Sequence, residues 1–219
     1  FPDICRNLSA KNMANPKNII FDFGGVLLNL DIPLTIQAFR QLGIPDFDKH
    51  FTQYTADPVI EDLETGKISN EDFLDRLVAL GGGVFNTAQA TAAWNAMMLG
   101  YRKTSLDFLK TLAADHRLFL LSNTNDIHHR MFTGCIYEET GYKTLDEFFE
   151  KAWYSHKIGL RKPYAAVFEF VLKDAGLRAA ETLFVDDSYT NTDAAAALGF
   201  KTYLLKPVEL IEEIDYGSF

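Results

Sequence analysis

The run Asn18-Ile19-Ile20-Phe21-Asp22-Phe23-Gly24-Gly25-Val26 constrains the fold more than any other stretch of the chain. Its apolar, β-branched and aromatic residues predict a strand over roughly 18–22, without the polar alternation of a half-exposed strand. The strand ends in one aspartate followed by two glycines. That puts a carboxylate at the carboxyl end of a buried strand, where open α/β sheets bind ligands. Gly24 and Gly25 free the chain to turn tightly around the carboxylate, so that backbone N–H groups can face an anion. A lone Asp22 reads equally as a solvated strand-end residue capping the next turn. In a phosphate site the same carboxylate can attack phosphorus and form an acyl phosphate.

The rest of the chain alternates in a way that favours the second reading. After a polar extension at 1–17, the first strand is followed by a helical stretch over 31–104. Pro33 suits an early helical position, and Leu34, Ala38 and Leu42 repeat at helical spacing. Ser69-Asn70-Glu71-Asp72 resembles a capped start ahead of Phe73, Leu77 and Leu80. A further helix runs from Thr87 through Ala90, Trp94 and Met97. No strand signal interrupts this region, which reads as an all-helical insertion, a lid or cap. From 105 onward strands at 118–121, near 152–154, at 182–185 and at 201–205 alternate with helices at 106–113, 163–175 and 194–198. That pattern predicts parallel crossovers. Residues 126–151 read as irregular and aromatic, packed over the core or forming a dimer surface. The expected fold class is therefore α/β, a Rossmann-like parallel sheet flanked by helices. The expected division is a core of 18–30 and 105–219 with a cap of 31–104.

Three later segments supply charge and polarity at the same sheet edge. Asp186-Asp187 follows an apolar strand, where two adjacent carboxylates need a counter-charge and suit a hard cation such as Mg²⁺. Ser122 and Asn123 follow the 118–121 strand; they read as a turn or cap, or as phosphate-oxygen ligands. Lys162 reads as solvated, or as an ammonium that stabilises charge on Asp22 and a transferring phosphoryl group. Arg161 reads as a surface charge, and Glu61, Asp62 and Glu64 as a solvated helix face. His128 and His129 read as exposed loop residues with no third His or Cys at metal-ligand spacing. The net charge of −9 argues against nucleic-acid and anionic-membrane surfaces. With only two cysteines, Cys5 and Cys135, the expectation is a reduced, cytoplasmic protein.

Taken together, these segments resemble the haloacid dehalogenase superfamily of phosphoaspartyl hydrolases over roughly 18–205. Asp22 matches the nucleophile of the first motif, Ser122 the second, Lys162 the third and Asp186-Asp187 the fourth. The insertion resembles the helical cap of the subfamily whose cap follows the first motif. The runs 63–69, 121–125, 159–163 and 186–188 look like the branch that contains bacterial α-glucose-1-phosphate phosphatase and the N-terminal phosphatase domain of epoxide hydrolase. The resemblance implies Mg²⁺ held by Asp22, the Gly24 carbonyl and Asp187, with Asp186 behind them and Asn191 assisting. Asp22 and Lys162 are then the catalytic pair, and Ser122, Asn123 and Lys162 the phosphate-binding set. The substrate would be a small phosphorylated metabolite, a sugar phosphate. One departure stands out. Gly24 occupies the position where most phosphatases of this superfamily carry a general acid–base aspartate. Asp31, Asp126 and His128 are the candidates to replace it. Two alternatives stay open: a non-catalytic phosphate-binding protein, and a 2-haloacid dehalogenase, for which the Asp186-Asp187 pair has no purpose.

Overall fold

The computed structural model describes residues 15–49 and 58–219. Residues 1–14, most of the expected extension, and 50–57 lie outside the described residues. Lys17 is already stitched to the sheet: its N–H donates to the Glu181 carbonyl at 2.9 Å and its carbonyl accepts from Arg117 N–H at 3.0 Å. The ordered body therefore begins before residue 18.

Strand β1 (Asn18–Phe21) lies at the centre of a five-stranded sheet. It is flanked on one side by β4 (Arg117–Ser122) and β5 (Lys151–Tyr154), and on the other by β6 (Thr182–Asp186) and β7 (Lys201–Leu204). All four pairings are parallel. Alternation along each strand builds two cores from one sheet. Ile19, Phe21, Leu118, Leu120, Leu183 and Val185 face one side, while Ile20, Phe119, Leu121 and Phe184 face the other. Every one of these residues is buried, so the strands read as unbroken apolar runs.

The first face is covered by α5 (Lys103–Leu112) and α6 (Asp126–Thr140), together with Leu205, Ile211 and Tyr216 of the C-terminal segment. The second face is covered by α8 (Ala165–Asp174) and α9 (Tyr189–Ala197). A short helix, α7 (Ser155–Ile158), follows β5 directly. The fold class is that expected from the alternation. Several element bounds shift: α8 begins at Ala165 rather than at Pro163, and α9 begins five residues earlier than the alanine run suggested.

The largest departure is α6, a helix of 15 residues where the sequence reads as irregular. Its core contacts come from a sparse set, Ile127, Phe132, Ile136 and Thr140, so the helical period is faint. The ends carry the signal. The Asn125 side chain accepts from His128 N–H at 3.0 Å, and Gly141 closes the helix with φ near 80°. The aromatic residues that follow, Phe148 and Phe149, pack into the first core.

Between β1 and α5 the chain leaves the sheet and returns through an antiparallel ribbon, β2 (Leu28–Leu30) with β3 (Met98–Tyr101). The sequence reading expected no strand here. Met98, just beyond the expected helix end at Met97, begins β3. The ribbon carries α1 (Ile32–Gln41), α2 (Pro58–Glu64), α3 (Asn70–Leu80) and α4 (Thr87–Asn95). Their inward residues Phe39, Leu63, Phe73, Leu77, Ala90 and Trp94 form a third core, which also takes in Ile127 of α6. Burying a Phe or Leu side chain contributes about 1.5–3 kcal/mol, and caps fix the helix entries. Ser69 accepts from Asp72 N–H at 3.0 Å, and Asn86 and Gln89 form a reciprocal capping box at 2.9 Å each way. No helix among the described residues is long and apolar enough to cross a membrane.

Candidate functional site

Three neighbouring strands deliver polar side chains to one edge. β1 ends just before Asp22, β4 at Ser122 and β6 at Asp186. A cavity of about 990 Å³ opens there, between the sheet edge and the helical insert. Asp22, Ser122, Asn123, Lys162, Asp187 and Asn191 all line it, as does Gly24. Sequence positions spread over 170 residues are thus brought together by the parallel topology.

Lys162 is the hub. Its ammonium is 1% exposed and lies 2.7 Å from both Asp22 Oδ1 and Asp186 Oδ2. Asp186 is fully buried and fully used: Oδ1 accepts from Ser188 N–H at 2.8 Å, and the Asn191 amide donates to both oxygens at 3.0 and 3.1 Å. Asp22 is used on one side only. Its Oδ1 accepts from Phe23 N–H at 2.7 Å as well as from Lys162, and no described residue donates to Oδ2. Asn123 differs from the expectation. Both atoms of its amide are engaged with the main chain of Lys162, each at 2.9 Å, so it braces the lysine rather than offering that amide to phosphate. Ser122 keeps a hydroxyl that bonds no described protein group.

The electrostatics set a requirement. Asp22, Asp186 and Asp187 each bring a carboxylate oxygen within 4.8 Å of the others, against one buried ammonium. Burial pushes the Asp22 carboxyl up to about 8. The Lys162 charge opposes that rise, and Asp186 and Asp187 reinforce it. Burial, then Asp186, raises Asp187 to about 6. One buried ammonium, with the Arg102 guanidinium farther along the cavity wall, leaves negative charge in excess around the three carboxylates, which a divalent ion would offset. The open donors are Asp22 Oδ2, the Asp187 carboxylate and the Gly24 carbonyl, an all-oxygen set suited to Mg²⁺; the Phe23 carbonyl is already taken by the N–H groups of Val26, Leu27 and Leu28. Gly25 makes the geometry possible. It has φ near 74°, and a Cβ there would lie 2.2 Å from Asp187 Oδ2. At Gly24 the backbone would accept a side chain, but Leu30 Cδ1 stands 2.5 Å from where its Cβ would be.

Of the three acid candidates, Asp31 and His128 line the cavity and Asp126 does not. Asp126 Oδ2 instead binds the Asn70 amide at 2.6 Å and Arg130 at 2.8 Å. His128 lies on α6 rather than on a loop. Its Nε2 sits 3.1 Å from the Trp94 carbonyl, its ring stacks on Trp94, and burial pushes its pKa down to about 4. It is a neutral donor to a carbonyl, not a proton reservoir. Asp31 makes no described side-chain hydrogen bond.

The sequence reading missed one wall of the cavity. Arg161 is not a surface charge: its side chain is 17% exposed and pairs with Glu61 at 3.3 Å and Glu64 at 3.1 Å. Burial raises the Glu64 carboxyl despite that pairing. Glu61 and Glu64 share one face of α2 at helical spacing, a signal that a buried partner could stand opposite. Tyr164 adds its hydroxyl to Glu61 at 3.2 Å.

Comparison with known proteins fits this geometry. The model of the haloacid dehalogenase-like hydrolases matches residues 16–199. D-ribitol-5-phosphate phosphatase of Bacteroides thetaiotaomicron is 33% identical over 187 residues, covering 85% of this chain and 90% of its own. A haloacid dehalogenase family enzyme of the same organism superposes with a TM-score of 0.81 at 33% identity, over 88% of this chain and 95% of that one. That structure is an aspartate-to-alanine variant in complex with magnesium and inorganic phosphate. A protein of Porphyromonas gingivalis described as a predicted haloacid dehalogenase-like family hydrolase also superposes at 0.81 and 33% identity, over 90% and 94% of the two chains. With the model match spanning most of the described body and a sheet edge of this composition, the chain belongs to the haloacid dehalogenase-like hydrolase family.

Proposed function

We propose that the protein is a Mg²⁺-dependent phosphatase of a small phosphorylated sugar or polyol, working through a phosphoaspartyl intermediate on Asp22. The observation that carries this reading is the half-used carboxylate: Asp22 Oδ1 is fixed by Lys162 and Phe23 N–H, while Oδ2 is open to the cavity edge. The phosphatase name of the ribitol phosphate relative and the magnesium and phosphate in the related structure support it.

Asp22 attacks phosphorus in line, forming the acyl-phosphate bond as the P–O bond to the leaving alcohol breaks. Lys162 holds the nucleophile in place and offsets charge on the phosphoryl oxygens, and the Ser122 hydroxyl donates to one of them. Asp22, Asp187 and the Gly24 carbonyl would hold Mg²⁺, whose charge screens the phosphate from the carboxylates and polarises the phosphoryl group. Asp186, already saturated with donors, positions Lys162. Asn191 and Asn123 serve the same scaffold.

In this reading the helical insert, residues 31–104, is the cap, and its first residue supplies the missing acid. Asp31 lines the cavity beside Leu30, which fills the space an aspartate at position 24 would need. Arg161, Glu61 and Glu64 give the far wall charged groups suited to substrate hydroxyls.

Phosphate release from a panel of sugar and polyol phosphates, with Mg²⁺ and with EDTA, tests the proposal. Native protein should turn over only with Mg²⁺, and Asp22→Asn should lose activity with either. Full activity of Asp22→Asn in a clean preparation would overturn the mechanism. Asp31→Asn should lower kcat about 10²–10⁴-fold on alkyl phosphates, yet spare p-nitrophenyl phosphate, whose leaving group needs no proton. An equal loss on both would remove Asp31 from the acid role.

A further inference from the structure

Outside the cavity, α6 and α7 bring together three side chains that the phosphatase reading does not use. Asp126 and His129 stand on one face of the first turn of α6, and His156 stands on α7. Each places a ligand-type atom within 4.8 Å of the other two. None of the three lines the cavity.

His156 makes the group more than a chance cluster. Both of its ring nitrogens are shielded from solvent and neither has a hydrogen-bond partner; the Thr124 backbone approaches without completing one. Shielding an imidazole with no partner on either nitrogen is costly. Its ring lies 5.2 Å from that of His129. His129 keeps a lone pair available, because its Nε2 faces the Lys157 ammonium at 3.0 Å and must accept there. Asp126 uses Oδ2 for both the Asn70 amide and Arg130, leaving Oδ1 open. Two imidazole nitrogens and one carboxylate oxygen form a donor set for a borderline divalent ion, not for Mg²⁺.

We infer that Asp126, His129 and His156 form a second metal site, selective for a transition cation of the Zn²⁺ or Co²⁺ type. Metal–ligand distances of about 2.0–2.2 Å require the three atoms to close in by about an ångström, which side-chain rotation supplies. Lys157, on an exposed stem, swings aside to give up its place on His129. The site lies on the seam between insert and sheet: Asn70 of α3 holds the carboxylate, and the turn at Gly66 packs so closely on α7 that a Cβ there would stand 2.6 Å from the His156 carbonyl. An ion here would therefore pin the insert to the body.

The test is a Co²⁺ titration of the whole protein in excess Mg²⁺, read by visible absorption. The expected result is a saturable band of one equivalent, in the intensity range of a nitrogen-rich, low-coordinate ion. His129→Ala and His156→Ala should abolish it or weaken binding at least tenfold, while Asp187→Asn, at the cavity, should keep it. Lys157→Met should tighten binding about tenfold by removing a competing positive charge. If an alanine variant does not fold, His129→Gln and His156→Gln, checked by circular dichroism, take its place. No band in native protein, or a band lost with Asp187→Asn and kept without the histidines, would overturn the assignment.

Discussion

Replacing Lys162 with Met tests the electrostatic frame of the site directly. The substitution keeps the stem and removes an ammonium that lies 2.7 Å from two carboxylates with side-chain exposures of 12% and 0%. Breaking a buried ion pair from one side costs about 3–5 kcal/mol, because the partner charge is left uncompensated. In a chain of this length each kcal/mol moves Tm by about 2–4 °C, so the melt should fall by roughly 6–20 °C without Mg²⁺. The loss should depend on pH in a defined sense. Without the ammonium, the folded-state pKa of Asp22 rises further above its unfolded value, so the folded protein binds the extra proton. Stability relative to native protein is then best preserved at acid pH and lost as pH rises through the raised pKa. Saturating Mg²⁺ should recover part of the loss, because a cation that binds only the folded state stabilises it by mass action. Activity should drop about 10²–10³-fold even where the fold is restored. Thermal melts at about pH 6 and pH 10, on either side of the native Asp22 value of about 8, with and without Mg²⁺, and phosphate release under the same conditions measure each part. A loss of stability independent of both pH and Mg²⁺ would refute the reasoning, for it would mean that Lys162 only fills space.

Two further substitutions probe neighbouring parts. Gly25→Ala puts a methyl 2.2 Å from Asp187 Oδ2 and a side chain into the left-handed region, at a strain of about 1–2 kcal/mol. The protein should stay folded but need about 10–100-fold more Mg²⁺ for half-maximal activity, and an unchanged Mg²⁺ requirement would separate Gly25 from the metal. His128 is held neutral, with a folded pKa near 4 against an ordinary value of about 6.5. The unfolded chain therefore binds the extra proton between those values. The contribution is present above about 6.5 and is lost as pH falls through 4, by about 3 kcal/mol. His128→Gln should flatten that acid limb in urea unfolding, and an identical slope in both proteins would count against it.

Most of the sheet, and the convergence of the candidate residues at its edge, were legible because they are encoded locally. A parallel strand buried on both faces must be an unbroken apolar run, so 18–21, 118–121 and 182–185 announce themselves. The residue that ends each run is placed at the sheet edge by the topology alone. What escaped is non-local. Glu61 and Glu64 resemble a solvated face until Arg161, far along the chain, is folded against them, and burial of that trio is a property of the packed insert. His129 lacks a metal-ligating neighbour in sequence and acquires His156 only through the packing of α7 against α6. Helix α6 was hidden for a different reason. It buries only a narrow stripe, and its identity rests on the Asn125 cap and Gly141 terminus rather than on its period. The ribbon of β2 and β3 is too short and too poor in β-branched residues to show a strand period.

The glycine at position 24 and the ribbon can be understood as one feature. A Cβ at 24 would stand 2.5 Å from the tip of the Leu30 side chain, so an acid there requires Leu30, on the ribbon, to turn aside. The same ribbon carries Asp31 to the cavity and hands the chain to α1, while its return strand passes directly to Arg102, whose guanidinium Nε donates to Asn29 across the two crossings at 2.9 Å. Asp31 N–H is in turn fixed to the Met97 carbonyl at 2.8 Å. An acid on the loop after β1 would be rigidly part of the sheet. An acid at the root of the insert, the role proposed for Asp31, would be positioned by the insert instead, so a shift of the helices over the cavity would also move the proton donor. On the proposed acid role of Asp31, a glycine at 24 would put leaving-group protonation under the insert rather than the sheet edge, and proton delivery would then depend on how the insert sits over the cavity.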